Sequence, residues 1–184
     1  AVGIHYALTP RTGLHFEVGR RLYDRLPFWR PAPGTDVGSE GLFVLDERAG
    51  AALSETRITL DGHPAPTVEY EAELLLRVPG GEGIQEVPHM ARIEASAALG
   101  VRGPWSIHLD THLRHLGERY AAVSGDPSMR IAPATDLGLR ASRAVAGSVT
   151  LWLELRNILD QEMVLWQGYP LPGRTSALGI SVRF

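Results

Sequence analysis

The sequence predicts an all-β protein: an antiparallel up-and-down transmembrane β-barrel, present in part as about nine strands. Three observations lead to this fold class. Apolar and polar residues alternate with a period of two over most of the chain, the connections alternate between short and long, and one alternating stretch is unusually long. A period of two gives a strand one apolar and one polar face.

The clearest alternation lies at the end of the chain. The stretch 148–157 sets four apolar residues against polar ones, and the stretch 174–184 does the same. On one face of the second stretch lie Ser176, Leu178, Ile180, Val182 and Phe184. Both stretches predict strands, but alternation alone leaves two environments open. The apolar face can lie in the core of a soluble β-sandwich, or it can face lipid around a hydrated lumen.

Similar alternation recurs upstream. It covers residues 2–8, 14–18, 55–60, 68–78, 91–101, 105–114 and 136–142. The stretch 68–78 exceeds the five or six residues that are about average for soluble sheets, and it suits a tilted membrane strand of about nine to eleven residues. An irregular, proline-containing segment at 23–52 is predicted to be a long loop.

The lengths of the connections follow a rule. The short ones are 9–13, 61–66, 102–104 and 144–147, and the longer ones are 23–52, 79–88, 116–133 and 158–173. Outer-membrane barrels have tight periplasmic turns and long extracellular loops, whereas Greek-key sandwiches have no such requirement. The rule therefore favours the barrel.

The last part of the chain also carries a motif. Asn157-Ile158-Leu159-Asp160 is followed by Gly168-Tyr169-Pro170-Leu171-Pro172-Gly173-Arg174 and by an alternating strand that ends on Phe184. These residues resemble the C-terminal end of TonB-dependent outer-membrane receptors. In that family the last hairpin carries an Asn-Leu-Phe-Asp type segment, a Gly-Tyr-Pro-x-Pro-Gly-Arg type loop and a final aromatic residue. Ile158-Leu159 departs from the usual Leu-Phe, and the segment up to Tyr169 has no counterpart.

The resemblance implies a barrel in a Gram-negative type outer membrane that takes up a scarce nutrient such as a ferric siderophore. Residues 1–184 would then form a C-terminal segment of the barrel domain, without the plug domain. Bacterial barrels have an even number of strands, so an odd count agrees with a partial barrel. The implied partners are outer-membrane lipid, the barrel-assembly machinery, TonB through an absent N-terminal region, and a small nutrient ligand. No cofactor and no enzymatic activity are implied.

Composition narrows the remaining classes of function. The chain has 184 residues, a formal net charge of −3 and no cysteine. The net charge gives no basic surface that would attract nucleic acid. The absence of cysteine excludes thiol catalysis, disulfides and Cys-ligated zinc. The first residues do not form a signal peptide, so an exported protein would be a processed form or a fragment. The alternatives left open are another outer-membrane barrel, either a passive channel or a barrel enzyme, and a soluble β-sandwich binding module.

Polar faces of the strands supply the candidate lumen-lining residues. The set consists of His108, Asp110, His112, Arg114, Glu154 and Arg156. The first three, spaced i, i+2 and i+4, come nearest to a metal site. Alternate residues of a strand lie about 7 Å apart, so one metal ion would need ligands from other strands. The preferred interpretation is that these three residues are ordinary polar residues that line the lumen.

Aromatic residues in the predicted long loops are candidate ligand contacts. They are Trp29, Tyr120, Trp166 and Tyr169. Packing of the loops or a position at the membrane interface is the preferred alternative for them. The terminal Phe184 is predicted to be the signal read by the barrel-assembly machinery, with a residue of a protein core as the other interpretation.

Overall fold

The computed structural model describes residues 1–31, 43–122, 125–166 and 169–183. Nine long strands form one sheet: β1 (Val2–Thr9), β2 (Thr12–Pro31), β3 (Phe43–Ala65), β4 (Val68–Gly80), β5 (Ile93–Arg102), β6 (Ile107–Leu116), β9 (Ala134–Ala146), β10 (Val149–Arg156) and β13 (Thr175–Val182). Two small hairpins lie in the connections: β7 (Arg119–Tyr120) with β8 (Arg130–Ile131), and β11 (Val164–Trp166) with β12 (Tyr169–Pro170). Two short 3₁₀ helices span Pro104–Ser106 and Pro127–Met129. Within the described ranges, no helix has the length and apolar character needed to cross a membrane.

Each long strand pairs antiparallel with the next long strand along the chain. The order is β1-β2-β3-β4-β5-β6-β9-β10-β13, so β1 and β13 are the two edges of an open sheet. This arrangement confirms the predicted all-β, up-and-down architecture and its partial character.

The registers carry the alternation across the whole sheet, because residues paired on neighbouring strands share a face. On the apolar face, Phe16 lies between Ile4 and Ile58. Many large side chains on this face are exposed, among them Ile4 at 67% and Leu178 at 79%. An exposed apolar surface of this extent is unfavourable in water but matches a lipid-facing wall. The opposite face, here called the polar face, carries the charged residues.

The connections divide the sheet into two ends. The turn end has the short connections 10–11, 66–67, 103–106 and 147–148, and the loop end has the longer connections 81–92, 117–133 and 157–174. Where residues are described, the predicted alternation of short and long connections is confirmed.

The predicted loop at 23–52 is wrong over most of its length. Strands β2 and β3 stay paired as far as Pro31 and Phe43, with Pro27 opposite Glu47. Pairing between β1 and β2 stops at Val18, so beyond that point β2 is an edge strand, where proline is tolerated. The hairpin of β2 and β3 therefore extends well beyond the alternating part of the sequence.

An apolar cluster at the loop end, here called the loop core, fixes the connection 81–92. It consists of Leu26, Ala51, Leu53, Ile84 and Val87, with Tyr23 and Met90 against it. Leu53 is only 1% exposed and lies on the polar face, next in alternation to Glu55. The connection 81–92 is therefore folded down onto the polar face.

Candidate functional site

A series of ion pairs crosses the polar face beneath the loop core. Arg21 Nε lies 3.1 Å from Glu55 Oε2, and Arg77 Nε lies 3.3 Å from Glu55 Oε1. Arg77 Nη1 donates to Glu94 Oε2 at 3.1 Å, and Arg114 Nη2 lies 2.7 Å from Glu94 Oε1. These five residues, here called the charge ladder, place opposite charges on successive strands from β2 to β6.

The middle of the charge ladder is shielded from solvent. The side chains of Glu55, Arg77 and Glu94 are 17%, 14% and 20% exposed. Charges this well buried need partners, and each of these groups has at least two. The same guanidinium of Arg77 also donates to the carbonyl oxygen of Ala91 at 3.1 Å. The ladder therefore holds the sheet and the connection 81–92 together.

A cavity of about 330 Å³ lies between the ladder and the two connections above it. Its ionisable lining consists of Arg77, His89, Glu94, Arg114 and Arg119. Three guanidinium groups and an imidazole thus face one carboxylate. We call this cavity the basic pocket.

Arg119 is the most buried of the cations in the basic pocket, at 3% exposure. Its Nη2 donates to the carbonyl oxygen of Val164 at 2.8 Å, whereas its buried Nε has no hydrogen-bond partner among the described residues. Burial, and then the nearby charge of Arg114, lower the pKa of Arg119, and Glu94 opposes the shift. Burial, and then Arg119, lower the pKa of His89. An anion in the pocket would relieve this crowding of positive charge.

The wall of the basic pocket is held by specific contacts. Glu86 is buried at 6% exposure, and its Oε1 lies 2.7 Å from Arg92 Nη2. The backbone N–H of His89 donates to the carbonyl oxygen of Tyr120 at 2.7 Å. His89 has φ of 61°, a left-handed conformation that is strained for this residue. The pocket is a preformed feature of the two connections.

The six candidate lumen-lining residues all lie on the polar face, as the registers of β6 and β10 show. Arg114 belongs to the charge ladder. His108 Nε2 lies 2.7 Å from Asp110 Oδ1, and Arg156 Nε donates to Glu154 Oε1 at 2.7 Å. His112 Nε2 lies 4.0 Å from Asp136 Oδ2. Their role in lining a lumen stays a prediction.

The four aromatic candidates are dispersed. Tyr120 lies in β7 beside the basic pocket, and the hydrogen bond from its hydroxyl to Glu118 raises its pKa. Tyr169 is 72% exposed in β12. The backbones of Trp29 and Trp166 lie in β2 and β11, so Trp29 is in a strand instead of the predicted loop, and their side chains lie outside the described part. Phe184 lies outside the described residues.

Sequence reasoning missed His89 and Arg119, which complete the basic pocket. Both lie in connections where no periodicity assigns a face to a side chain. Arg77 stands out in the sequence as a charge on the polar face, but its two carboxylate partners depend on the registers of β3 and β5.

No protein-family model and no curated protein matches the chain. Solved structures do match it over nearly its whole length. A structure of the ferric enterobactin receptor PfeA from Pseudomonas aeruginosa covers 99% of this chain at 15% identity, with a TM-score of 0.74. The copper transporter OprC covers 99% at 15% identity, with a TM-score of 0.72. The pyoverdine outer membrane receptor FpvA from Pseudomonas aeruginosa PAO1 covers 99% at 11% identity, with a TM-score of 0.69.

The match accounts for 30%, 30% and 29% of the lengths of those three chains, respectively. At these identities the likeness shows the fold. The chain thus has the fold of a segment of the β-barrel of TonB-dependent receptors, which the C-terminal motif of the sequence had predicted.

Proposed function

We propose that residues 1–184 form a C-terminal segment of the barrel of a TonB-dependent receptor in a Gram-negative type outer membrane. The receptor would import a scarce nutrient such as a ferric siderophore. The observation that carries the proposal is the two-faced sheet, whose exposed apolar face spans all nine strands and whose fold is that of transport receptors.

In this proposal the apolar face contacts lipid and the polar face lines a hydrated lumen. The loop end is extracellular, because the long connections of such barrels lie on that side. The plug domain and the contact with TonB would belong to an upstream part of the same protein. The ferric enterobactin receptor PfeA has this fold, and this supports the choice of a ferric nutrient.

The basic pocket is the proposed contact for the nutrient ligand. An iron(III) chelate with catecholate or carboxylate oxygens carries net negative charge, and guanidinium groups suit delocalised oxygen anions. Arg119 offers a buried Nε without a partner among the described residues, and its neighbours Arg77 and Arg114 line the same cavity. Tyr120 and Tyr169 would contact the ligand from the adjoining connections.

The orientation of the sheet is tested with single cysteines, since these 184 residues contain none. Leu178→Cys places a thiol on the apolar face, and the matched Ala177→Cys places one on the polar face opposite Glu154. In full-length protein reconstituted in vesicles, a lipid-soluble maleimide should label Cys at position 178 and a water-soluble one should label Cys at position 177. Equal labelling of both by the water-soluble reagent would contradict the barrel and favour a soluble sandwich.

Transport is tested in cells that carry a deletion of the gene. Uptake of radioactive iron from ferric chelates should fall on deletion and return with the intact gene, and it should require TonB. A passive channel, the alternative from the sequence, would instead conduct ions across a planar bilayer without TonB. Conductance with unchanged uptake of every chelate would overturn the proposal.

A further inference from the structure

The turn end of the polar face brings three potential metal ligands together from two strands. Glu69 lies on β4, and His108 and Asp110 lie on β6. One ligand atom from each of the three lies within 4.8 Å of the other two, and His108 Nε2 is 2.7 Å from Asp110 Oδ1. This is the one such group of three or more among the described residues.

Glycine at position 100 makes the approach possible. Gly100 on β5 is paired with Glu69 on one side and with Asp110 on the other. Strands β4 and β6 are therefore two strand spacings apart, about 9.6 Å. A Cβ added at Gly100 would lie 2.8 Å from Cγ and Oε1 of Glu69. The side chain of Glu69 thus lies across the space above Gly100 and reaches the pair on β6.

The donor set suits a divalent transition-metal ion. Zinc in proteins is almost always tetrahedral and binds imidazole nitrogen and carboxylate oxygen at about 2.0 to 2.2 Å, so two ligand atoms on one ion lie about 3.4 Å apart. The ligand atoms here lie within 4.8 Å of one another, so side-chain rotations that move them by about 1 Å would bring them into coordination range. The site is also open, since His108 is 28% and Asp110 46% exposed. Water or a fourth ligand can complete the coordination.

Two arginines lie on the strands beside the site. Arg140 is paired with Asp110, but its guanidinium carbon lies 5.1 Å above the ring of Trp152 on the next strand. Arg102 is paired with His108, and both line a cavity of about 280 Å³ together with Glu69 and His63.

We infer that Glu69, His108 and Asp110 bind a divalent transition-metal ion such as Zn²⁺ on the polar face, at the end away from the long connections. The site is separate from the basic pocket and independent of the nature of the imported nutrient. The sequence alone disfavoured a metal ion here, because β6 by itself supplies too few ligands. Glu69 on β4 adds a ligand from a second strand.

The test is a zinc titration of full-length protein in detergent, stripped beforehand with a chelator. Calorimetry with Zn²⁺ should show one binding event that His108→Ala abolishes and Glu69→Gln weakens by at least about tenfold. Gly100→Ala keeps every ligand but displaces Glu69, so it should weaken zinc binding similarly. Cu²⁺ bound in the wild type should show coupling to nitrogen in its electron paramagnetic resonance spectrum, and His108→Ala should remove this coupling.

Two matched controls accompany these variants. Gly3→Ala is a glycine change on β1 where the added Cβ meets only ordinary contacts, 3.5 Å or longer. His112→Ala removes an imidazole from the same strand and face. Both should leave the titration unchanged, and circular dichroism should show that all variants are folded. Zinc binding that is identical in wild type, His108→Ala and Gly100→Ala would overturn the inference.

Discussion

At the loop end of the polar face the cations are guanidinium groups packed among carboxylates, whereas at the turn end imidazoles lie beside carboxylates. The same strands build both regions: β6 supplies Arg114 to the first and His108 to the second. The loop end is covered by the connection 81–92, and Arg77 is 14% exposed there. The turn end is open, and Asp110 is 46% exposed.

This difference in burial separates two uses of the same alternating pattern. The buried charges of the charge ladder are fully committed to one another, because an unpaired charge there would be costly. Open charges on the turn side tolerate rearrangement, because solvent screens them. The comparison predicts that equal substitutions have unequal effects at the two ends.

The largest effect is expected at the centre of the charge ladder. Arg77→Met leaves Glu55 without one partner, leaves Glu94 with only Arg114 and removes the donor to Ala91, so it should lower the free energy of unfolding by about 3 kcal/mol. The matched Arg57→Met removes a 44% exposed arginine from the same face and should cost under about 1 kcal/mol. Urea unfolding in vesicles measures both. Equal shifts of the urea midpoint in the two variants would show that the burial of the charge ladder does not matter for stability.

A smaller loss of stability is expected from the loop core. Leu53→Ala removes a side chain that is 1% exposed beneath the connection 81–92, so it should cost about 2 kcal/mol. Leu45→Ala, on the same strand at 57% exposure, is the control and should be nearly neutral. Limited proteolysis should cleave 81–92 faster in the first variant alone. Unchanged cleavage would show that the core does not hold the connection.

Ligand chemistry should differ between the two ends. Arg119→Gln removes a buried cation from the basic pocket and should weaken binding of a ferric tris-catecholate complex by about tenfold, the equivalent of one charge-assisted hydrogen bond. His15 lies on the polar face of β2 near the turn end, paired with His5 and Thr59. His15→Gln should leave this affinity unchanged. Fluorescence titration of full-length protein measures both. An equal loss in the two variants would show that the chelate does not discriminate between the ends.

The smallest effect is a pH dependence of the connection 81–92. The pKa of His89 is lowered by burial and by Arg119, from an ordinary value of 6.5. As pH falls through 6.5 toward the lowered pKa, the unfolded connection binds a proton that the folded one does not, so its stability decreases. Above 6.5 the contribution is constant. Hydrogen exchange of 81–92, corrected for intrinsic rates, should show lower protection at acidic pH, and His89→Gln should remove that dependence.

Most strands of the sheet could be predicted because its two faces have different surroundings, and this imposes an alternation of apolar and polar residues. Examples are Val149 to Leu155 and Ser176 to Val182. The loop-end part of the β2–β3 hairpin could not be predicted, because Pro27 and its neighbours lie outside the part of the sequence that alternates. His108 and Asp110 were identifiable from their spacing. Glu69 was not, because its approach depends on register and on the absence of a side chain at Gly100. His89 and Arg119 lie in connections whose path no pattern of residues encodes.

The two edges of the open sheet are sites at which further strands can pair. Strands β1 and β13 are both eight residues long, and each presents one row of unpaired backbone groups. In hydrocarbon every such group costs several kcal/mol, so the sheet is stable in a bilayer only when other strands close it. Hydrogen bonds between strands do not require a continuous chain. Separately synthesised barrel strands should therefore assemble with these edges in trans, as in a split reporter.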